Sequence, residues 1–340
     1  MKIGVVGASG YSGGELLRLL AHHPHFEVSY LAAGSNAGVS VTAIHPQLLW
    51  LQDRVFEETS VSAINQLDLV FFALPHGESA KLIAQIQPQV KIVDLGADFR
   101  LSDPEQWGKY YGGVHAGAWQ YGLPEIHGNR SKIQFNSKIA NPGCYATSII
   151  LAAAPALSSG LIFGTDIVAV AASGTTGAGR SAKVNLLASE VMGSLTSYKF
   201  GGVHQHTPEI EETLSGIKGE EVRISFTPIL APMPRGILST VTAPLKRSIS
   251  EAEIRNVYRE YFADEKFVTL LPEGQLPKTA ALVGSNSISM QVALDAHTNR
   301  LIVSAALDNL GKGAAGQALQ NANLMMGIEE SLGLSENGTP

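Results

Sequence analysis

"KIGVVGASGYSGGELLRLLAHHP", Lys2 to Pro24, sets the architecture of the first half of the chain. A short β-rich run ends in a glycine turn. The turn opens on a helical segment whose Leu16, Leu17, Leu19 and Leu20 make one broad apolar face. Gly7, Gly10 and Gly13 read G-x-x-G-x-x-G directly after the strand. There the backbone N–H groups of the turn and of the helix N-terminus can hold a pyrophosphate. The spacing departs from the usual G-x-G-x-x-G, so the strand–turn–helix context, more than the glycines, makes a dinucleotide the expected ligand. Ser9, Tyr11 and Ser12 would add side-chain contacts.

Outward from this unit, "EVSYLAAGS" reads as a second strand, and "LDLVFFAL" and "VKIVDLG" are near-continuous apolar runs of strand length. Such runs suit a parallel sheet covered on both faces. A helix over residues 77–86 lies between the last two, so strand and helix alternate through roughly the first 140 residues. Where a dinucleotide fold usually ends its second strand in an acidic residue, this chain has "AAGSNAG", with Ser35 and Asn36 and no carboxylate. A carboxylate would repel a 2′-phosphate, so its absence favours NADP. Pro75 and His76 of "LPHG" follow the third strand and would line the same crevice.

From Cys144 the texture changes. "DIVAVAASG" is another buried strand, but "VRISFTPIL", "ILSTVTAPL", "SISMQVALD" and "RLIVSAALD" alternate or carry close-set β-branched residues. These suit a mixed or antiparallel sheet covered on one face. The expected fold is α/β: a Rossmann-type doubly wound parallel-sheet domain over 1–143, an α+β catalytic domain with a mixed sheet over 144–311, and a C-terminal helix over 312–335 that joins the first domain. With 340 residues, 45% hydrophobic and only 16% charged, the composition is that of a compact two-domain enzyme. A net charge of -6 offers no footprint for nucleic acid or an anionic membrane. No apolar run reaches the ~20 residues of a membrane span, and Met1 leads straight into a strand, so a cytoplasmic enzyme is expected.

The chain has one cysteine, which excludes an intrachain disulfide and a cysteine-rich zinc site. It lies in "NPGCYAT", where a Pro142–Gly143 turn runs into the apolar helix Cys144 to Leu157. A helix N-terminus favours thiolate over thiol. "HQHTPEIEETL" offers a base: Thr207 reads as an N-cap with Pro208 at the first helical position, His204 and His206 just before it and Glu209 in the first turn. The H-x-H-x-x-E spacing lacks a third distant histidine or a cysteine cluster, so no metal is expected. A cofactor crevice, an activated thiol and an imidazole together imply hydride transfer at acyl level through a thioester. A Cys–His thiol hydrolase is the alternative from another class, and the glycine loop argues against it.

Seven stretches, "GVVGASGYSGGELLRLL", "VDLGADFRL", "YGLPE", "NPGCYAT", "SGTTGAGR", "HQHTPEI" and "DNLGKGAAGQALQN", together resemble the N-acetyl-gamma-glutamyl-phosphate reductase family of arginine biosynthesis, over essentially the whole chain. The resemblance implies NADPH-dependent reduction of an acyl phosphate to a semialdehyde with release of phosphate, in a fold similar to aspartate-semialdehyde and glyceraldehyde-phosphate dehydrogenases. It implies Cys144 as nucleophile and His206 as acid/base, supported by Glu209 and with His204 nearby. It also implies Arg100 and Tyr198 beside the substrate, Asn309 at the nicotinamide carboxamide, and a homodimer or homotetramer. Arg180 is either a further substrate contact or a residue serving the start of a helix in "SAKVNLLASEVM"; Arg235 has no evident purpose. Related reductases acting on aminoadipyl or aspartyl phosphate are the nearest alternatives.

Overall fold

The computed structural model describes Met1–Thr339 and divides into two units, one of residues 1–142 with 314–334, the other of 143–313 with the tail from Ser335. The first unit carries β1 (Lys2–Val6), β2 (Glu27–Ala32), β3 (Leu69–Phe72), β4 (Lys91–Asp94), β5 (Gln120–Tyr121) and β6 (Lys138–Ala140). They form one sheet in the order β2-β1-β3-β4-β6-β5, parallel throughout. The chain winds from β1 first to β2 and then, on the other side, to β3. The carboxyl ends of β1 and β3 are therefore a topological switch point, where open α/β sheets bind their ligands.

Both faces of this sheet are covered, as the unbroken apolar strands required. Ile3, Val5, Leu31 and Phe71 pack with Leu16 and Leu20 of the first helix and Leu319 of the last. Val6, Val70, Phe72 and Ile92 pack on the opposite face with Ile83 and Ile86. The helix expected over 77–86 is shorter, Ser79–Ile83. Its lead-in is held as a loop because the Asp98 carboxylate takes the Gly77 and Ala80 N–H groups. Beyond Ile83 the bonds tighten to i→i+3, as at Gln85 and Ile86. The C-terminal helix is likewise Gly316–Met325, entered through a wide turn at Gly311–Ala315, instead of the expected 312–335. It stops in a Schellman-type turn, with Ile328 N–H on Asn323 O, and the Asn323 side chain then donates to the carbonyls of Glu330 and Leu332.

The second unit carries β7 (Ile167–Ser173), β8 (Thr196–Ser197), β9 (Ile224–Leu230), β10 (Ile237–Pro244), β11 (Val268–Leu270), β12 (Ile288–Asp295) and β13 (Arg300–Leu307). The sheet is mixed, in the order β11-β12-β13-β10-β7-β9-β8. Burial alternates along β10, with Ile237, Ser239, Val241 and Ala243 inward and Leu238 and Thr240 outward. The inward face receives the helix Cys144–Ser158, buried at every position from Tyr145 to Leu157. Ser148 and Ser239 pair their hydroxyls at 2.6 Å across that contact. The helix Glu251–Tyr261 adds a bond from Tyr258 OH to Ala152 O at 2.7 Å. The helix expected in "SAKVNLLASEVM" reduces to a 3-10 turn, Val184–Leu186, and one α turn, Ala188–Val191. Val184, Leu187 and Met192 remain exposed, so no buried stripe stabilises a longer helix there. Among the described residues no helix is long and apolar enough to cross a membrane.

Candidate active site

The turn after β1 is built by backbone contact. Gly7 has φ +85°, and a Cβ there would lie 2.3 Å from Ala73 O, in the loop that follows β3. A Cβ on Gly13 would lie 2.6 Å from Gly7 O. Neither carbonyl can retreat without moving a strand end, so the glycines are what let the two loops close on each other. Gly10 is the N-cap of the helix Tyr11–Leu20, and no side chain caps that end. Its first-turn N–H groups, Ser12 and Gly13 among them, thus form an anion cradle that fits a pyrophosphate. Ser9 accepts a hydrogen bond from Asn36 Nδ2 at 3.0 Å, which ties the glycine loop to the short Gly34–Asn36 turn that holds Ser35. Pro75 and His76 are exposed beside it, the His76 ring edge-on to Tyr111 at 5.3 Å.

At the end of β4 the buried carboxyls of Asp94 and Asp98 flank the Ser79 hydroxyl, at 2.8 and 3.0 Å. Burial pushes Asp94 up to about 6; the charge of Asp98 adds to this, and Gly96 N–H, Ser79 and Arg100 oppose it. Arg100, also buried, donates from Nε to Asn141 O and from Nη2 to Leu95 O, each at 2.8 Å. Asn141 opens the "NPGC" stretch, and its side chain donates to Ala314 O and accepts from Asn321 Nδ2. Arg100 thus fixes the segment that leads to the cysteine.

Cys144 is the first residue of its helix, capped by Gly143 with no side-chain cap, and is half-buried. Gly143 N–H is taken by Glu209 Oε1 at 2.7 Å. A Cβ on Gly143 would lie 2.5 Å from His206 Nε2, so the imidazole rests directly on the glycine that precedes the thiol. On the other side, a Cβ on Gly313 would lie 2.8 Å from Cys144 Cβ. The helix carrying His206 and Glu209 runs His206–Lys218, so it begins before the expected N-cap at Thr207. The cause is His204: its Nδ1 accepts His206 N–H at 3.1 Å and its carbonyl accepts Thr207 N–H, so it caps the helix earlier.

Around these groups the rings of Tyr145, Tyr198, His204 and His206 pack edge to face, with His204 and His206 centroids 4.8 Å apart. Tyr198 OH donates to Tyr145 OH at 3.1 Å, and Tyr145 OH donates to Ile229 O at 3.2 Å. Burial raises both phenols above the ordinary 10.0, and a charge on Cys144 raises both further. They are neutral hydrogen-bonding groups within the electrostatic reach of the thiol.

Asn309 is buried in the same unit, its Oδ1 on Gly236 N–H at 2.7 Å and its Nδ2 on Thr176 Oγ1 at 3.0 Å. Arg235 now has a purpose. It forms a bidentate pair with the buried Asp308, which also takes Leu310 N–H and Gly284 N–H and so braces the Asn309 turn. Arg180 is exposed, in the segment after the Thr175–Ala178 turn. Among the described residues no three His, Cys, Asp or Glu side chains are grouped to hold a metal. The expected residues thus fall in two sets: Gly7 to Gly13, Ser35, Pro75, His76 and Arg100 in the first unit, and Cys144, His204, His206, Glu209, Tyr198, Arg180 and Asn309 in the second.

Sequence reasoning missed Tyr145, Asp98 and His45. His45 Nε2 lies 3.0 Å from Ala8 O, its ring tight against Gly14, and so supports the glycine loop from below. The doubled glycine at 13–14 was the available signal.

A semialdehyde dehydrogenase NAD binding domain model matches residues 2–134, and a semialdehyde dehydrogenase dimerisation domain model matches 144–309. Solved structures agree on the fold: aspartate semialdehyde dehydrogenase II of Vibrio cholerae has TM-score 0.71 at 15% identity, covering 96% of this chain and 98% of that one. The Candida albicans enzyme with NADP has TM-score 0.68 at 17% identity, with the same coverage. The class is therefore the semialdehyde dehydrogenases, dinucleotide-binding enzymes of two domains. Within it, a protein of Acidothermus cellulolyticus named N-acetyl-gamma-glutamyl-phosphate reductase is 55% identical over 99% of this chain and 98% of its own length. Proteins of the same name from Salinispora arenicola and Streptomyces coelicolor are 54% and 51% identical at the same coverage. The chain belongs to the N-acetyl-gamma-glutamyl-phosphate reductase family.

Proposed function

We propose that this chain reduces N-acetyl-L-glutamyl 5-phosphate to the 5-semialdehyde with NADPH, releasing phosphate, as a homo-oligomer assembled through the unit that contains residues 144–309. The observation that carries the reading is the packing of His206 against Gly143, directly before a thiol at a helix N-terminus. The Cys144 sulfur, with its negative charge favoured by the helix dipole, attacks the acyl carbon; the carbon–oxygen bond to phosphate breaks and a thioester remains. His206 takes the thiol proton and later returns one to the carbonyl oxygen as it is reduced. Glu209 holds the Gly143 N–H and so keeps the nucleophile's backbone fixed while the acyl group is attached. The reduced nicotinamide, when bound, supplies the hydride that takes the thioester to the aldehyde level. Collapse of the thiohemiacetal then returns its hydroxyl proton to His206, breaks the carbon–sulfur bond and restores the thiolate.

The glycine loop, Ser9 and the Ser35–Asn36 turn would hold the dinucleotide. The lack of a carboxylate after β2 supports NADPH over NADH. The resemblance to related dehydrogenases supports Asn309 as the residue that would meet the nicotinamide carboxamide. Arg100 and Arg180 would meet the acyl phosphate. The test is oxidation of NADPH, followed at its absorbance, with N-acetylglutamyl phosphate and separately with the aminoadipyl analogue. The reading expects turnover with the first and a large preference for NADPH. Faster turnover with the aminoadipyl compound, or phosphate release that ignores the cofactor, would overturn it.

A further inference from the structure

Two lysines of the second unit, Lys183 and Lys199, lie close enough to feel each other's charge. Lys199 pairs its ammonium with the neutral Gln205 Oε1, and its charged neighbour is another cation, Lys183. No carboxylate among the described residues pairs with either. Burial, and then Lys183, lower the Lys199 pKa from its ordinary 10.5, so the site disfavours an uncompensated cation.

The backbone sharpens this. Among the described residues three that are not glycine have positive φ: Asp166, Asn299 and Lys199, the last at +43°. Aspartate and asparagine are at home there; a lysine is strained there and stays only where its surroundings hold it. Its neighbours lead to the candidate site. Tyr198 before it donates to Tyr145, the residue after the nucleophile, and feels the charge of Cys144. Gln205, where its ammonium docks, lies between His204 and His206. A cation at a strained backbone position, docked on a neutral amide next to His206 in sequence and one residue from Tyr198, is completed by an anion that arrives with the substrate.

We propose that Lys199 is an anion-binding residue of the active site, gripping a negatively charged oxygen group of the substrate, with Lys183 adding to the field. This rests on the acyl-phosphate reading, whose substrate brings two such groups, a phosphate and a carboxylate. The reverse reaction separates them, because the semialdehyde carries the carboxylate and inorganic phosphate is a second substrate with its own KM. Lys199→Asn removes the cation while keeping a residue suited to positive φ, and Lys199→Arg keeps the charge.

In Lys199→Asn we expect one KM to rise about 10- to 100-fold, the loss of one charge-assisted hydrogen bond, with kcat falling far less. Lys199→Arg should recover most of it, and Lys183→Gln should give a smaller rise in the same constant. A rise confined to the semialdehyde assigns the carboxylate; one confined to phosphate assigns the leaving group. If both constants stay within twofold of wild type in a variant that melts normally, the inference is overturned. Failure of the acyl-phosphate reading would show separately, as a wild type that turns over neither pair. In that event, calorimetric titration with inorganic phosphate and with N-acetylglutamate decides: weaker binding of either to Lys199→Asn than to wild type upholds the anion site, and equal or absent binding rejects it.

Discussion

The helices that open at Gly10 and at Gly143 start alike. Each is capped by a glycine in extended conformation, φ -74° and ψ 171° in one and φ -71° and ψ 147° in the other, with no side chain on the helix end. Each therefore presents first-turn N–H groups to something other than its own residues. They differ in what presses on the glycines. At the first turn the neighbour is backbone, Ala73 O against Gly7; at the second it is a side chain, the His206 ring against Gly143. On the proposed reading, one turn receives a ligand's charge, and the other sets the reacting sulfur next to the glycine on which its proton carrier rests.

The comparison breaks first at the sulfur. Cys144→Ser should lower turnover by at least about 10³-fold, since serine is a far weaker nucleophile at neutral pH and an oxygen ester accepts hydride less readily. NADPH affinity, measured by fluorescence, should stay within twofold. A variant with substantial activity would remove the thioester from the reaction. Next come the two glycines. Gly143→Ala must push the imidazole away, so it should behave like His206→Ala, with kcat down roughly 10²-fold and cofactor affinity kept. Gly7→Ala sets a methyl against a fixed carbonyl at positive φ, and should instead weaken NADPH binding by about 10-fold or more and lower Tm. If both alanine variants damaged the same constant, the division of labour between the two turns would fail.

How legible these turns were follows from the range of the forces that make them. The parallel sheet could be read because strands buried on both faces must be apolar at successive positions, as in "LVFF" of β3. Cys144 could be placed because a turn and an apolar run lie next to it in sequence. The start of the His206 helix was misjudged by a local rule: Thr207 is a good cap by type, but His204 reaches the orphan N–H groups first. The segment after Arg180 has helical composition and no buried face, and packing rather than propensity decided. Arg235 with Asp308 and Asp98 with the Gly77–Ala80 loop pair across 73 and about 20 residues, a distance at which one sequence carries no signal.

The smallest effect sharpens the comparison through its buried carboxyls. Glu209 holds the backbone N–H of Gly143, just before Cys144; Asp94 holds Gly96 N–H and shares the Ser79 hydroxyl with Asp98. One hydroxyl has one proton and cannot donate to two carboxylates at once. At low pH a protonated Asp94 donates to Ser79, which donates to Asp98, and every group is satisfied; once Asp94 ionises, one contact is lost. Its pKa is raised from 3.8 to about 6. Between those values the folded chain keeps a proton that the unfolded chain has released. This group's contribution to stability therefore falls as pH rises from about 4 to about 6, by up to about 3 kcal/mol, and is flat above. Asp94→Asn mimics the protonated form and removes that slope. Relative to wild type, the variant should gain in denaturant midpoint between pH 4.5 and pH 7.5, with Asp98 and Arg100 untouched as the flanking charges. A difference from wild type that does not change with pH would mean that Asp94 is ionised throughout, and that the loop after β3 is held by Asp98 alone.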